Sequence, residues 1–148
     1  MAIVVFAVAA FALVIVLAAV GLIFASRRLA AAGQALIAAQ FTTDQIVQAA
    51  PLITHYGLAS GASPALRGTG VLVLTHDLLW ASTLKSEATL SIPRASVLEA
   101  QVMPSRVDRT GTRGVLQVRY QGPTGEERAS FYLREPAQWA QALQGAMR

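Results

Sequence analysis

The first 26 residues carry no charged side chain, and this constrains the chain more than any other feature. Residues 1–25 read MAIVVFAVAAFALVIVLAAVGLIFA, with one glycine and no proline. Wound as a helix, such a run is about 37 Å long at 1.5 Å per residue, against a bilayer hydrocarbon core of about 30 Å. A helix buried within a soluble domain keeps a polar face, and this run has none. A single transmembrane helix over residues 1–26 is therefore expected. A cleaved signal peptide would begin with a positive segment and carry an apolar stretch of about 7–15 residues. Here the start is uncharged and the stretch is longer, although Phe24-Ala25-Ser26 loosely imitates a small-residue cleavage site.

Arg27 and Arg28 follow the span directly, with no side-chain charge on its other flank. Positive flanks stay in the cytoplasm, so both arginines are expected to anchor topology. The prediction is a single-pass protein of the cytoplasmic (inner) membrane, N-terminus outside and C-terminal domain in the cytoplasm. The bilayer is its first partner. The same two residues account for half of the formal charge of +4. Residues 29–148 hold ten basic against eight acidic side chains, with no run of interleaved basic and aromatic residues. Nucleic acid is accordingly not expected as a partner. The absence of cysteine excludes disulfide frameworks, thiolate zinc sites and cysteine nucleophiles.

Residues 27–47 are expected to form a juxtamembrane helical connector. Leu29, Leu36, Ile37 and Phe41 fall near one side of a helix, with a bend allowed at Gly33. That apolar side must be covered by the following domain, by lipid headgroups or by another copy of the chain. From Pro51 the pattern turns to short β segments, predicted at 52–58, 71–75, 79–84, 88–92, 97–103, 115–120 and 128–133. Leu116, Val118 and Tyr120 should share one face, as should Ala129, Phe131 and Leu133. Pro136 suits the first position of a helix on which Trp139, Leu143 and Met147 recur every four residues. Glu135 would sit at its positive end. The fold class is thus a transmembrane α-helix and then, over residues 48–148, a mainly β domain. About seven antiparallel strands in a bent sheet or barrel are expected, closed by a C-terminal amphipathic helix.

Residues 67–80, RGTGVLVLTHDLLW, resemble the glycine–strand–Leu-Thr–turn–Leu–aromatic hairpin of GRAM and bacterial pleckstrin-homology domains. Ile92-Pro93-Arg94-Ala95-Ser96-Val97 is similar to the Ile-Pro step those domains carry into their next strand. Glu135-Pro136-Ala137-Gln138-Trp139 resembles the start of their final helix, with Glu135 where Asp is usual. The likeness covers residues 48–147 and implies a pleckstrin-homology-like domain in a single-span membrane protein. It departs from the phosphoinositide-binding branch, which concentrates Lys and Arg at the first two strands. Residues 57–70 offer only Arg67 there.

No catalytic residues are expected. His76 and Asp77 are adjacent but lie where a hairpin must turn, and His55 falls on a strand without an acid at metal-ligand spacing. No phosphate-binding glycine loop precedes a helix, and neither a metal nor another cofactor is expected. The densest basic stretch contains Arg106, Arg109 and Arg113 with one acid, Asp108. These three arginines are the candidates for contact with anionic lipid headgroups, each basic residue contributing about 1 kcal/mol near a charged leaflet. The expected role is an adaptor or scaffold for a protein partner at the cytoplasmic membrane face, with weak lipid-headgroup sensing as the alternative. Residues 57–70 are long enough for a binding loop, or else serve as a spacer.

Overall fold

The computed structural model describes residues 2–86, 88–104 and 112–145, with side chains from residue 6 onward. Helix α1, Ala2–Gln40, runs without interruption for 39 residues, so Gly33 does not break it. Seven strands follow: β1 Ile46–Leu58, β2 Arg67–Thr75, β3 Leu78–Thr83, β4 Thr89–Pro93, β5 Val97–Met103, β6 Arg113–Gly122 and β7 Gly125–Arg134. Helix α2, Pro136–Gln144, ends the described chain. Within α1, the stretch Phe6–Gln40 contains a segment long and apolar enough to cross a membrane. Residues 6–29 are exposed.

All seven strands form one antiparallel sheet in the order β4-β3-β2-β1-β7-β6-β5. β4 and β5 are joined by a short 3-10 turn at Arg94–Ser96, yet they are the two edges of the sheet and do not pair. The sheet is therefore open, and a closed barrel is ruled out. The reason lies in what fills the gap. Arg94 donates from Nη1 to the Thr75 carbonyl at 3.1 Å and from Nη2 to the Ala142 carbonyl at 2.7 Å. Gln144 Nε2 donates to the carbonyl of Ala100 on β5 at 2.9 Å. These bonds tie the β4–β5 turn to β2 and α2, and α2 to β5, across the open end of the sheet. A guanidinium at the C-terminal end of α2 also faces the negative end of that helix.

The main core lies on one face of the sheet. Leu72 and Leu74 from β2, Leu79 from β3, Ile92 from β4, Leu116 and Val118 from β6 and Phe131 from β7 meet Trp139 and Leu143 of α2. The alternating patterns of β6 and β7 point inward as their period of two requires.

β2 differs from its neighbours, because Val71, Leu72, Val73 and Leu74 are each 0% exposed. Leu72 and Leu74 enter the main core. Val71 and Val73 lie on the other face, in a second cluster with Ile37 of α1 and Trp80 of β3. The run Val-Leu-Val-Leu is continuous because the strand is covered on both faces. The last turns of α1 are therefore covered by the chain's own domain, the first of the three possibilities for the connector. Phe41 closes this cluster, its ring edge-on to Trp80 with centroids 5.3 Å apart.

β1 is longer than its apolar pattern predicts, starting at Ile46 rather than Leu52. Pro51 does not end it. The proline sits in an irregularity between Ala50 and Ile53 where the pairing with β2 shifts register, a place where a missing N–H is tolerated.

Candidate functional site

The side of β1 facing β7 is where the sheet comes apart. β1 pairs with β2 from Ile46 to Tyr56, but its pairing with β7 covers only Thr54 to Leu58. Over residues 46–53, among the described residues, it has a neighbour on one side alone. β7 ends at Arg134 and the chain turns away through Glu135, whose φ of 52° and ψ of 51° are left-handed. Its N–H is held by the Thr112 carbonyl at 2.8 Å, and its own carbonyl accepts from Gln138 N–H at 3.0 Å. Glu135 thus turns β7 into α2 by its backbone, and its side chain does not cap the helix.

The result is a cleft of about 580 Å3 between the first half of β1 and the β7–α2 corner. Leu29 of α1, Leu52, Arg113, Arg134, Glu135 and Trp139 all contribute to its lining. Arg113 and Arg134 are direct cross-strand partners on β6 and β7. Like charges placed directly opposite one another in a ladder repel. Glu135 supplies the one carboxylate among the lining residues. A second groove, about 540 Å3, runs between the end of α1 and β1 past Ile37, Phe41 and Ile46, with no charged residue in its lining.

The remaining candidates are placed as follows. Arg113 stands at the start of β6 on the cleft, while Arg106 and Arg109 lie outside the described residues. Arg27 and Arg28 occupy the exposed part of α1 immediately before it reaches the domain. His76 and Asp77 are exposed in the β2–β3 turn. That turn is organised by Thr75, whose Oγ1 accepts from Asp77 N–H at 3.2 Å and from Leu78 N–H at 3.1 Å. His55 is buried beneath Gly70, where its Nε2–H donates to the Ser82 carbonyl at 3.2 Å. Its ring stands edge-on to Phe131 with centroids 5.3 Å apart. Burial pushes its pKa below the ordinary 6.5, partly opposed by backbone hydrogen bonding at Ser82 and Val71. This histidine is a neutral core residue.

Residues 57–70 are fastened at both ends rather than free. Ser60 N–H and its hydroxyl both bond the Glu127 carboxylate, which holds that acid below the usual carboxylate range. Leu66 is buried, and the Ala65 carbonyl accepts from the Ser86 hydroxyl at 2.8 Å. On the opposite half of the sheet, Arg119 pairs with Glu99 at 3.2 Å and Glu126 at 2.9 Å. These are exposed ion pairs of small energetic weight.

Sequence patterns singled out Arg113 but not its partner Arg134, nor the cleft between them and β1. The available signals were a proline inside an apolar strand and the Glu-Pro step directly after one. Compared with known proteins, the chain matches no family model, and no curated protein matches it.

Proposed function

We propose that this protein is a membrane-anchored, non-catalytic adaptor or scaffold, with a pleckstrin-homology-like domain held at the cytoplasmic face of the inner membrane. The observation that carries this role is the continuity of α1. The exposed apolar segment and the turns that bury Ile37 belong to one helix. Only four residues lie between Arg28 and Gly33, so the two are about 8 Å apart along the helix. The domain therefore sits on a rigid stem and is presented to partners at one height and in one orientation. Arg27 and Arg28 support cytoplasmic placement of the domain. Seven antiparallel strands followed by a helix that plugs the core agree with the layout expected of that superfold.

Two measurements test this role. A C-terminal alkaline-phosphatase fusion should be inactive, and an active one overturns the orientation. Affinity purification of the full chain from native membranes should retain a stoichiometric protein partner through detergent exchange, and recovery of the chain alone counts against an adaptor.

The alternative role, contact with anionic lipid, is favoured by one observation. Arg113 shares its cleft with Leu29, the residue directly after Arg28. If Arg28 lies at the membrane surface, Arg113 lies close to the headgroups, and Arg106 and Arg109 precede it closely in the sequence. Full-length protein in nanodiscs separates the two roles. Under the lipid role, anionic lipid slows amide exchange around residue 113 relative to phosphatidylcholine, and replacing Arg106, Arg109 and Arg113 removes the difference.

A further inference from the structure

The course of α1 across the sheet gives the domain a second relationship with the bilayer, which rests on the membrane-anchored reading just proposed. Gly33 sits over Pro51 of β1, Ile37 packs with Val71 and Val73 of β2, and the Phe41 ring meets Trp80 of β3. The helix therefore crosses the strands from β1 towards β3 as it runs to its C-terminus. Followed the other way, it passes Leu29, which shares a cleft with Thr54 and Tyr132, and leads over the β7-β6-β5 half of the sheet. One face of that half carries the main core. On the other face, Met103, Val115 and Tyr132 are cross-strand neighbours in a single row. Met103 is 43% exposed, and Val115 and Tyr132 are half-buried. The next row along the strands is Gln101, Gln117 and Ser130, followed by Glu99, Arg119 and Arg128. The face thus grades from apolar to charged, and its apolar row ends at Tyr132, in the cleft that Leu29 enters.

We propose that the row Met103–Val115–Tyr132 rests on the cytoplasmic leaflet where headgroups meet acyl chains, a second contact with the bilayer besides α1. Three observations select lipid as the occupant. Leu29 directly follows Arg28, so the Tyr132 end of the row stands at the height where the span ends. Two strand spacings place Met103 about 10 Å to the side of Tyr132, and α1 runs over that side of the sheet, so the row extends beneath the leaflet. The residue types also fit that layer. A tyrosine suits the boundary between apolar and wet surroundings, valine and methionine supply apolar area, and the polar rows follow farther along the strands. This contact requires no anionic lipid, unlike headgroup binding by Arg106, Arg109 and Arg113.

The chain has no cysteine, so a single fluorescent label can be placed at will on the full-length protein in phosphatidylcholine nanodiscs. Met103→Cys reports on the row, and Leu98→Cys on the other end of the same strand. Both side chains are exposed, so neither label empties the core. Ile23→Cys, in the apolar part of α1, reports on the span itself. Lipids carrying a nitroxide just below the headgroup quench a label that they touch. The expected quenching at position 103 is at least threefold that at position 98. Val115→Asp places a charge within the row and should lower quenching at position 103 at least twofold, whereas Val115→Leu should preserve it. Equal quenching at positions 103 and 98, with position 23 quenched, overturns the proposal and leaves the anchor standing. Quenching at position 103 that appears only with anionic lipid also overturns it, because the contact then belongs to the arginines. Absence of quenching at position 23 removes the anchor and the proposal together.

Discussion

The carbonyl oxygen of Pro51 lies 1.8 Å from the position a Cβ on Gly33 would occupy. Helix α1 and strand β1 therefore cross with no side chain between them, and glycine is the residue that permits it. The contact sets how far Ile37 and Phe41 reach across β2 and β3, and so how the domain sits on its stem.

Gly33→Ala gives the most diagnostic outcome. Within an exposed helix this change stabilises by about 1 kcal/mol. Here the added methyl overlaps the backbone of Pro51, and overpacking of this kind costs about 1–3 kcal/mol. Denaturant unfolding of the detergent-solubilised protein should show a net loss. A gain would mean that the helix does not dock at this glycine.

Removing the stem should damage the domain it carries. A fragment of residues 45–148 lacks Ile37 and Phe41, which cover Val71, Val73 and Trp80. It should bind a hydrophobic dye and show red-shifted tryptophan emission, whereas residues 27–148 should do neither. In the full chain, Ile37→Ala removes a side chain only 6% exposed and should cost about 2–5 kcal/mol.

His55 makes stability depend on pH with a definite sign. Burial holds its folded-state pKa below the ordinary 6.5, so in acid the unfolded chain binds the proton more readily. Its contribution is complete above pH 6.5, declines as the pH falls below that value, and levels off beneath the folded pKa. His55→Gln keeps a neutral donor near the Ser82 carbonyl and should flatten this part of the profile. Melting temperatures of both proteins between pH 5 and 8 (about the range in which histidine titrates) check the difference. Parallel profiles would show that His55 does not titrate on unfolding.

Arg94 holds the open end of the sheet. Replacing it with Met leaves the Thr75 and Ala142 carbonyls without their guanidinium donor. The expected loss is about 1.5–3 kcal/mol, the range for hydrogen bonds to a charged group. Arg94→Lys should recover only part of it, because one ammonium lacks the planar fork that reaches two carbonyls. Equal stability of the Met and native forms would show that α2 is held by its apolar face alone.

Local pattern was enough to read much of this chain. A charge-free run cannot hide a polar face, so α1 was legible from composition. Alternation in β6 and β7 identified Leu116, Val118, Phe131 and Leu133 as inward-facing, and the four-residue spacing of Trp139 and Leu143 identified the buried side of α2. These features depend on the geometry of one helix or strand and need no knowledge of its neighbours. The tertiary structure decided what those neighbours are. Val71 and Val73 read like any strand residues until Ile37 covers them, and Gly33 reads as a bend until Pro51 crosses it. His55 gives no sign in the sequence that Gly70 and Phe131 will enclose it. The parting of β1 from β7 depends on a register between segments more than seventy residues apart in the chain and on a left-handed Glu135. Periodicity is a property of one segment, whereas an open strand edge is a property of two, so only the folded chain could show where the sheet parts and leaves a cleft.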